Sequence, residues 1–254
     1  MLTNTKQWAK YTINLFTGKC QNGCIYCYSN ADIARFKQSP EKGIKADFLY
    51  KDFRKRDELT MYPSSHDIRF EDIEQHIAFL KNFLRSGSPI LIVTKPDYYC
   101  ISELIRELEA FKNQVEFRFT IGSYDSDILS FYEPNTSNFT QRIFSVRVAF
   151  LAGYKTSISI EPMLDKYPEG IIDDVLPFVT ESIWIGKLNL AKVRLTLNGQ
   201  ADKWPQVQEL VNWQSNDQNI LELVQRLKYP KIKWKDSIQK VIDENEKLKW
   251  ICQA

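Results

Sequence analysis

Cys20-Gln-Asn-Gly-Cys24-Ile-Tyr-Cys27 packs three cysteines into one short window with the spacing Cys-x3-Cys-x2-Cys. Thiolates this close in sequence can converge on one metal centre. The other two cysteines, Cys100 and Cys252, are too distant in sequence to complete a local four-thiolate site. A centre with three protein ligands keeps one position open, and an open position is where a metal site does chemistry instead of bracing a fold. Other readings exist. A zinc site would need a fourth ligand, for instance His66 or His76. A thioredoxin-type pair would use only Cys24 and Cys27 and leave Cys20 unexplained. Bacterial ferredoxin runs have a different spacing and a fourth cysteine followed by proline.

Working outward from the triplet, residues 11–16 just before it read as a strand, and residues 31–37 after it as a short helix. Residues 59–62 read as a strand. A helix is expected over 71–85, with Ile73, Ile77, Leu80 and Leu84 at helical spacing and Gly87 just past its end. Residues 89–94 are a nearly continuous apolar run, as in a strand buried on both faces. Helices follow at 101–112, 139–152 and 170–179, alternating with strands at 115–121, 156–160 and 182–186. Six strands separated mostly by helices predict an α/β fold with a parallel sheet, closed as a partial (β/α)6 TIM-type barrel. Beyond residue 190 the pattern changes. Helices are expected at 218–227 and 236–250, with Pro205 and Pro230 as breaks. The expected division is therefore a barrel core over 1–190 and a C-terminal helical extension or cap over 191–254.

The chain has 254 residues, is 43% hydrophobic and carries a net charge of +2, so it can build a large core and its overall charge selects no partner. No run of eighteen apolar residues is present and the N-terminal stretch has no apolar leader core, so a cytoplasmic protein without a membrane span is expected. Five cysteines, three of them clustered, argue against a secreted disulfide framework.

In parallel barrels the functional groups belong at the C-terminal ends of strands. Polar residues fall there repeatedly. They are the cysteine loop, then Ser64, Ser65, His66 and Asp67, then Thr94 and Lys95, then Thr120 with Gly122 and Ser123, then Glu161, and finally Lys187 and Asn189. A buried Arg118 on the same strand face as Thr120 would need an acidic partner, and Glu161 is the expected one.

The triplet, with the aromatic Tyr26 before its last cysteine and a position after the first strand, resembles the hallmark of the radical S-adenosylmethionine superfamily. Asn14–Tyr28, Ile92–Lys95, Phe117–Ile121, Glu133-Pro-Asn135 with Arg142, and Ser159–Pro162 resemble motifs of its spore photoproduct lyase-like group, related to DNA repair photolyases. Two departures stand out. Lys19 is an extra residue before Cys20, and Ser65-His66-Asp67 replaces the Gly-Gly-Glu common after the second strand.

The resemblance implies a 4Fe–4S cluster on Cys20, Cys24 and Cys27, with S-adenosylmethionine chelating the fourth iron. Reductive cleavage would give a 5′-deoxyadenosyl radical that abstracts hydrogen from a substrate, with nucleic acid, a small metabolite or a peptide as candidates. An external one-electron reductant of flavodoxin or ferredoxin type would be the partner. Tyr26 would lie near the adenine and Lys95 would hold the methionine carboxylate. Ser65, His66, Asp67 and Thr120 would serve the amino group or ribose, and Glu161 completes the cofactor-binding set. Cys100 is the candidate hydrogen-atom donor, with a packing role as its alternative. Capping and surface roles are the alternatives for the polar residues. A non-catalytic metal module and a redox-sensing nucleic-acid binder are the rival functions.

Residues 225–254 carry eight Lys/Arg against four Asp/Glu. Lys228, Lys231, Lys233 and Lys235 alternate with Tyr229 and Trp234, which suits either a phosphate-tracking surface or a solvated segment whose aromatics pack inward. Trp204, Trp213 and Trp250 suggest an aromatic lid that would exclude water.

Overall fold

The computed structural model describes residues 4–253, and the side chains of residues 6–246. The side chains of Trp250 and Cys252 lie outside that set. The strands are β1 (Tyr11–Thr12), β2 (Phe16–Thr17), β3 (Gly43–Ile44), β4 (Thr60–Tyr62), β5 (Ile90–Thr94), β6 (Val115–Thr120), β7 (Lys155–Ile160), β8 (Ile183–Ile185) and β9 (Ile232–Trp234). Between and after them lie α1 (Tyr28–Arg35), α2 (Ile73–Leu84), α3 (Tyr98–Glu107), α4 (Ser126–Tyr132), α5 (Phe139–Leu151), α6 (Glu169–Val175), α7 (Ala191–Leu197), α8 (Trp204–Ser215), α9 (Asp217–Arg226) and α10 (Asp236–Gln253).

Seven strands form one sheet in the order β1-β4-β5-β6-β7-β8-β9, with every pairing parallel. Each strand is added beside its predecessor after a crossover, and this one-way winding builds the predicted partial barrel.

Strand alternation explains the layers. Ile90, Ile92, Phe117, Phe119, Ile158, Ile160, Ile183 and Ile185 are fully buried in one core shared with Leu80 and Phe83 of α2, Ile101 and Leu104 of α3, and Val146 of α5. Burying each of these side chains is worth about 1.5–3 kcal/mol. Their sequence neighbours face the barrel interior. Leu91 and Val93 join Met61, Ala9 and Trp8 in a small cluster, and in register beside them stand Glu116, Arg118 and Ser157. The interior of the half-barrel is thus polar at its centre, which an apolar-run reading cannot reveal.

Three expectations change. The strand expected over 11–16 is split. Asn14 accepts the N–H groups of Ser64 (2.7 Å) and Ser65 (3.2 Å) on its side-chain oxygen, which turns the chain out of the sheet. Phe16 and Thr17 then pair antiparallel with β3. Gly18 makes this possible, because at φ +78° a Cβ there would lie 1.9 Å from the Glu41 carbonyl oxygen. The tail keeps Lys228 and Lys233 exposed and packs Tyr229 and Trp234 inward, as the solvated-segment reading expects, but it buries Lys235 and adds a strand beyond the six expected. Residues 232–234 form the seventh strand, parallel to β8, because Ile232 and Trp234 pack against the core. Arg118 makes its salt bridge with Glu116 at 2.9 Å, since residues two apart on a strand share a face, and Glu161 is a further electrostatic neighbour. No helix of the described residues is long and apolar enough to cross a membrane.

Candidate active site

A cavity of about 550 Å³ opens at the C-terminal ends of the strands. Cys20, Cys24 and Cys27 line it together. So do Tyr26, Ser65, His66 and Asp67, and, from later strands, Lys95, Thr120 and Glu161. The structure therefore brings ten of the eleven sequence-predicted site residues to one place. Cys100 is not among the lining residues. It is 1% exposed and packs in the main core, where α3 carries it beneath its Asp97 cap. Burial is the main force raising its thiol pKa.

The cysteine loop is held from several sides. Asn30 of α1 accepts the Cys20 N–H at 3.0 Å and donates to the Cys20 carbonyl at 3.3 Å. Cys27 is the N-cap of α1, its sulfur accepting the Asn30 N–H at 3.4 Å. The helix N-terminus and the Asn30 N–H favour negative charge on that sulfur, but burial outweighs them and raises the thiol pKa. Gly23 turns with φ +64° between the first two cysteines. From the other half of the chain, Asn198 just past α7 donates to the carbonyls of Ile25 and Cys27, both at 3.0 Å. Sequence reading missed Asn30 and Asn198. The first lies three residues past the triplet, but the second is far away in sequence and left no signal.

Asp67 is a buried hub. Its Oδ1 accepts from the Thr94 hydroxyl (2.7 Å) and the Lys95 N–H (2.6 Å), and its Oδ2 from Asn22 (2.9 Å) and the Lys95 ammonium (3.3 Å). Burial alone would raise its pKa, but Lys95 and these hydrogen bonds outweigh it and hold the carboxyl below its ordinary value. Asp67 thus ties β4, β5 and the cysteine loop together. Lys95 is half-buried, and its charge is sustained by Asp67 and by neighbouring acidic groups against the cost of desolvation. Its ammonium lies 5.9 Å from the centre of the Tyr26 ring.

Tyr26 reaches the other way. Its hydroxyl donates to Glu133, whose second oxygen accepts from Arg142 at 2.6 Å, both acid and base being fully buried. Arg142 spends its remaining donors on the Ser137 carbonyl (3.0 Å), the Thr120 carbonyl (3.2 Å) and the Thr136 hydroxyl (2.6 Å). A chain of contacts therefore runs from the cysteine loop to the end of β6.

His66 receives or gives one hydrogen bond at Nδ1 with Ser65 Oγ, 2.9 Å away. Its pKa is lowered, by burial first and then by Lys42. On the far wall Glu161 pairs with Lys235 at 3.4 Å. Lys235 follows β9, is 1% exposed, and sits 4.1 Å from the centre of the Trp8 ring. Lys187, Asn189 and Arg194 complete this wall. The main chain of this wall is fixed by Gln214 of α8, which accepts the Leu188 N–H (2.7 Å) and donates to the Met163 carbonyl (2.8 Å).

Three soft sulfur donors facing one cavity suit a 4Fe–4S cluster, which distributes its thiolates over separate irons.

No family model matches the sequence, and the search of curated proteins finds no match. Solved structures do match the fold. Spore photoproduct lyase complexed with dinucleoside spore photoproduct aligns with a TM-score of 0.56 at 18% identity, over 82% of this chain and 64% of that one. A mutant spore photoproduct lyase with bound AdoMet and the dinucleoside photoproduct aligns with a TM-score of 0.54 at 18% identity, over 78% of this chain. The chain spans under two thirds of the length of these neighbours, 63% for the AdoMet complex. The predicted partial barrel is thus a fold shared with spore photoproduct lyase.

Proposed function

We propose that this chain is a radical S-adenosylmethionine enzyme acting on a nucleic-acid-like substrate. The observation that carries the reading is the presence of three thiols, Cys20, Cys24 and Cys27, on the wall of one open cavity at the strand ends. They would hold a 4Fe–4S cluster. Bound and reduced, such a cluster supplies the electron that splits the sulfonium of S-adenosylmethionine, giving a 5′-deoxyadenosyl radical that takes hydrogen from the substrate.

The chain's own residues prepare the site. Asp67 keeps Lys95 charged and fixes the cysteine loop relative to β4 and β5. Tyr26 presents its ring to the cavity while Glu133 holds its hydroxyl, so the ring is offered as a stacking face for adenine. Ser65, His66, Thr120 and Glu161 line the cavity as the polar partners of the amino acid and ribose parts. The Trp8 ring and Val93 add an apolar patch to the cavity wall. Residues 1–190 would carry the chemistry, and residues 191–254 would close the site by way of Asn198 and Lys235. The substrate assignment is supported by the dinucleoside ligand of the fold neighbours, and an external one-electron reductant would be required.

The test is anaerobic cluster reconstitution, followed by dithionite and S-adenosylmethionine. We expect about four irons per chain and formation of 5′-deoxyadenosine, both lost in Cys24→Ala. Wild-type protein that yields no 5′-deoxyadenosine above that control rejects the reading. Label transfer from a deuterated oligonucleotide into 5′-deoxyadenosine tests the substrate, and its absence redirects attention to a small metabolite or peptide.

A further inference from the structure

The cavity wall has more cationic groups than it needs for its own acids. Its lining acids are Asp32, Asp67 and Glu161, and its lining bases are Lys95, Lys187, Arg194 and Lys235. Asp67 is matched by Lys95 and Glu161 by Lys235. Asp32 is exposed on α1 and makes no ion pair with Arg194 among the described residues. That leaves Arg194 and Lys187, both half-buried. Among the described residues the Arg194 guanidinium makes no hydrogen bond or ion pair; its ring contact is with Tyr28 at 5.9 Å, and Cys27, Asp32 and Glu161 act on it only at longer range. Lys95, the cation expected to hold a carboxylate, is already engaged by Asp67.

A partly desolvated guanidinium without an acid partner is costly unless something else supplies the anion. Its planar fork fits carboxylate and phosphate oxygens in a bidentate way. We infer that Arg194, backed by Lys187, is the docking point for an oxyanion, carboxylate or phosphate, of a molecule that enters this cavity. The inference rests on the function proposed above. The group has two sources under that reading. It is either the carboxylate of S-adenosylmethionine or a phosphate of the nucleic-acid-like substrate.

Two matched pairs of probes separate the sources, using the full chain with its cluster reconstituted anaerobically. The first pair is S-adenosylmethionine and its decarboxylated analogue. The second is thymidylyl-thymidine and its uncharged methylphosphonate counterpart. Dissociation constants are measured calorimetrically for wild type, Arg194→Gln, Arg194→Lys and Lys187→Gln, after iron content and melting temperature are checked. In wild type, the charged member of at least one pair should bind about 10- to 100-fold more tightly. Arg194→Gln should reduce that preference most, and Arg194→Lys less, because it keeps the charge and loses the fork. Lys187→Gln should weaken it less. Loss in the first pair assigns Arg194 to the cofactor carboxylate, and loss in the second assigns it to phosphate. Binding of S-adenosylmethionine with preferences unchanged in both Arg194 variants overturns the inference and leaves the proposed function standing. Failure of the cluster-loaded wild type to bind S-adenosylmethionine overturns both.

Discussion

Two buried ion pairs flank the cavity, and they are built differently. Glu133 and Arg142 expose no surface at all, and every contact they make is with protein: the Tyr26 hydroxyl on one side, two carbonyls and the Thr136 hydroxyl on the other. Glu161 and Lys235 expose 8% and 1% of their side chains and form part of the cavity wall itself. The first pair is sealed, so its charges have no alternative partner. The second borders open space, so water or a ligand can substitute for a missing member. A buried pair whose surroundings are all protein is structural; one that borders a cavity is available to chemistry. Breaking either pair should reveal this difference.

The largest effect is expected for Arg142→Met. It strands Glu133 with no compensating charge and should cost about 3–5 kcal/mol in urea unfolding. A loss below 1 kcal/mol would mean that the pair is not sealed. Asp67→Asn should come next, at about 2–3 kcal/mol, because Lys95 loses its counter-charge while one amide oxygen still accepts. Its pH signature is specific. A carboxyl held below its ordinary pKa contributes stability that is present above the unfolded value of 3.8 and is lost as pH falls through the folded value. Wild type should therefore lose stability more steeply than Asp67→Asn below about pH 4, as read by melting temperature against pH. Parallel curves would remove Asp67 from its role as a charged hub.

Lys235→Met should cost less, about 1–2 kcal/mol, since solvent in the cavity can reach Glu161. Adding Glu161→Gln should recover part of that loss, because neither charge then stands alone. A loss as large as that of Arg142→Met would put the two pairs in one class. Asn198→Ala is expected to have the smallest effect on global unfolding, about 1 kcal/mol for two hydrogen bonds to carbonyls at the rim of the cysteine loop. Faster hydrogen exchange confined to residues 20–28 would be its mark, and unchanged exchange there would show that the clamp does not hold the loop.

The legible parts of the molecule were those with a local signal. The apolar run at 89–94 and the alternating apolar residues at 115–121 predicted strands, and their outward residues are fully buried under helices. The polar residues at their ends could be assigned to the cavity because a parallel barrel brings all its strand ends to one rim. Tyr26, Ser65, Asp67, Lys95 and Thr120 line it for that reason. What escaped depends on contacts between distant parts of the chain. Lys235 and Trp8 come from opposite ends of the sequence and meet only because β9 pairs with β8 while the N-terminal segment crosses the barrel floor. Arg194 reaches the cavity because α7 packs on α1. Glu116 could have been identified as the partner of Arg118 from strand periodicity, but the strand end drew attention to Glu161. Cys100 is a donor candidate by its chemistry and a packing residue by its place on a helix, and it sits in the core as the packing alternative expects.

Asn198 and Lys235 give the molecule a built-in order of assembly. The cysteine loop leaves the ribosome early, long before the residues that cover it. Until residue 198 is synthesised and α7 settles on α1, the backbone of that loop lacks its distal anchors, and the cavity lacks its far wall. A chain cut short of residue 198 would therefore keep all three cysteines and lose both the Asn198 hydrogen bonds and the Lys235 wall.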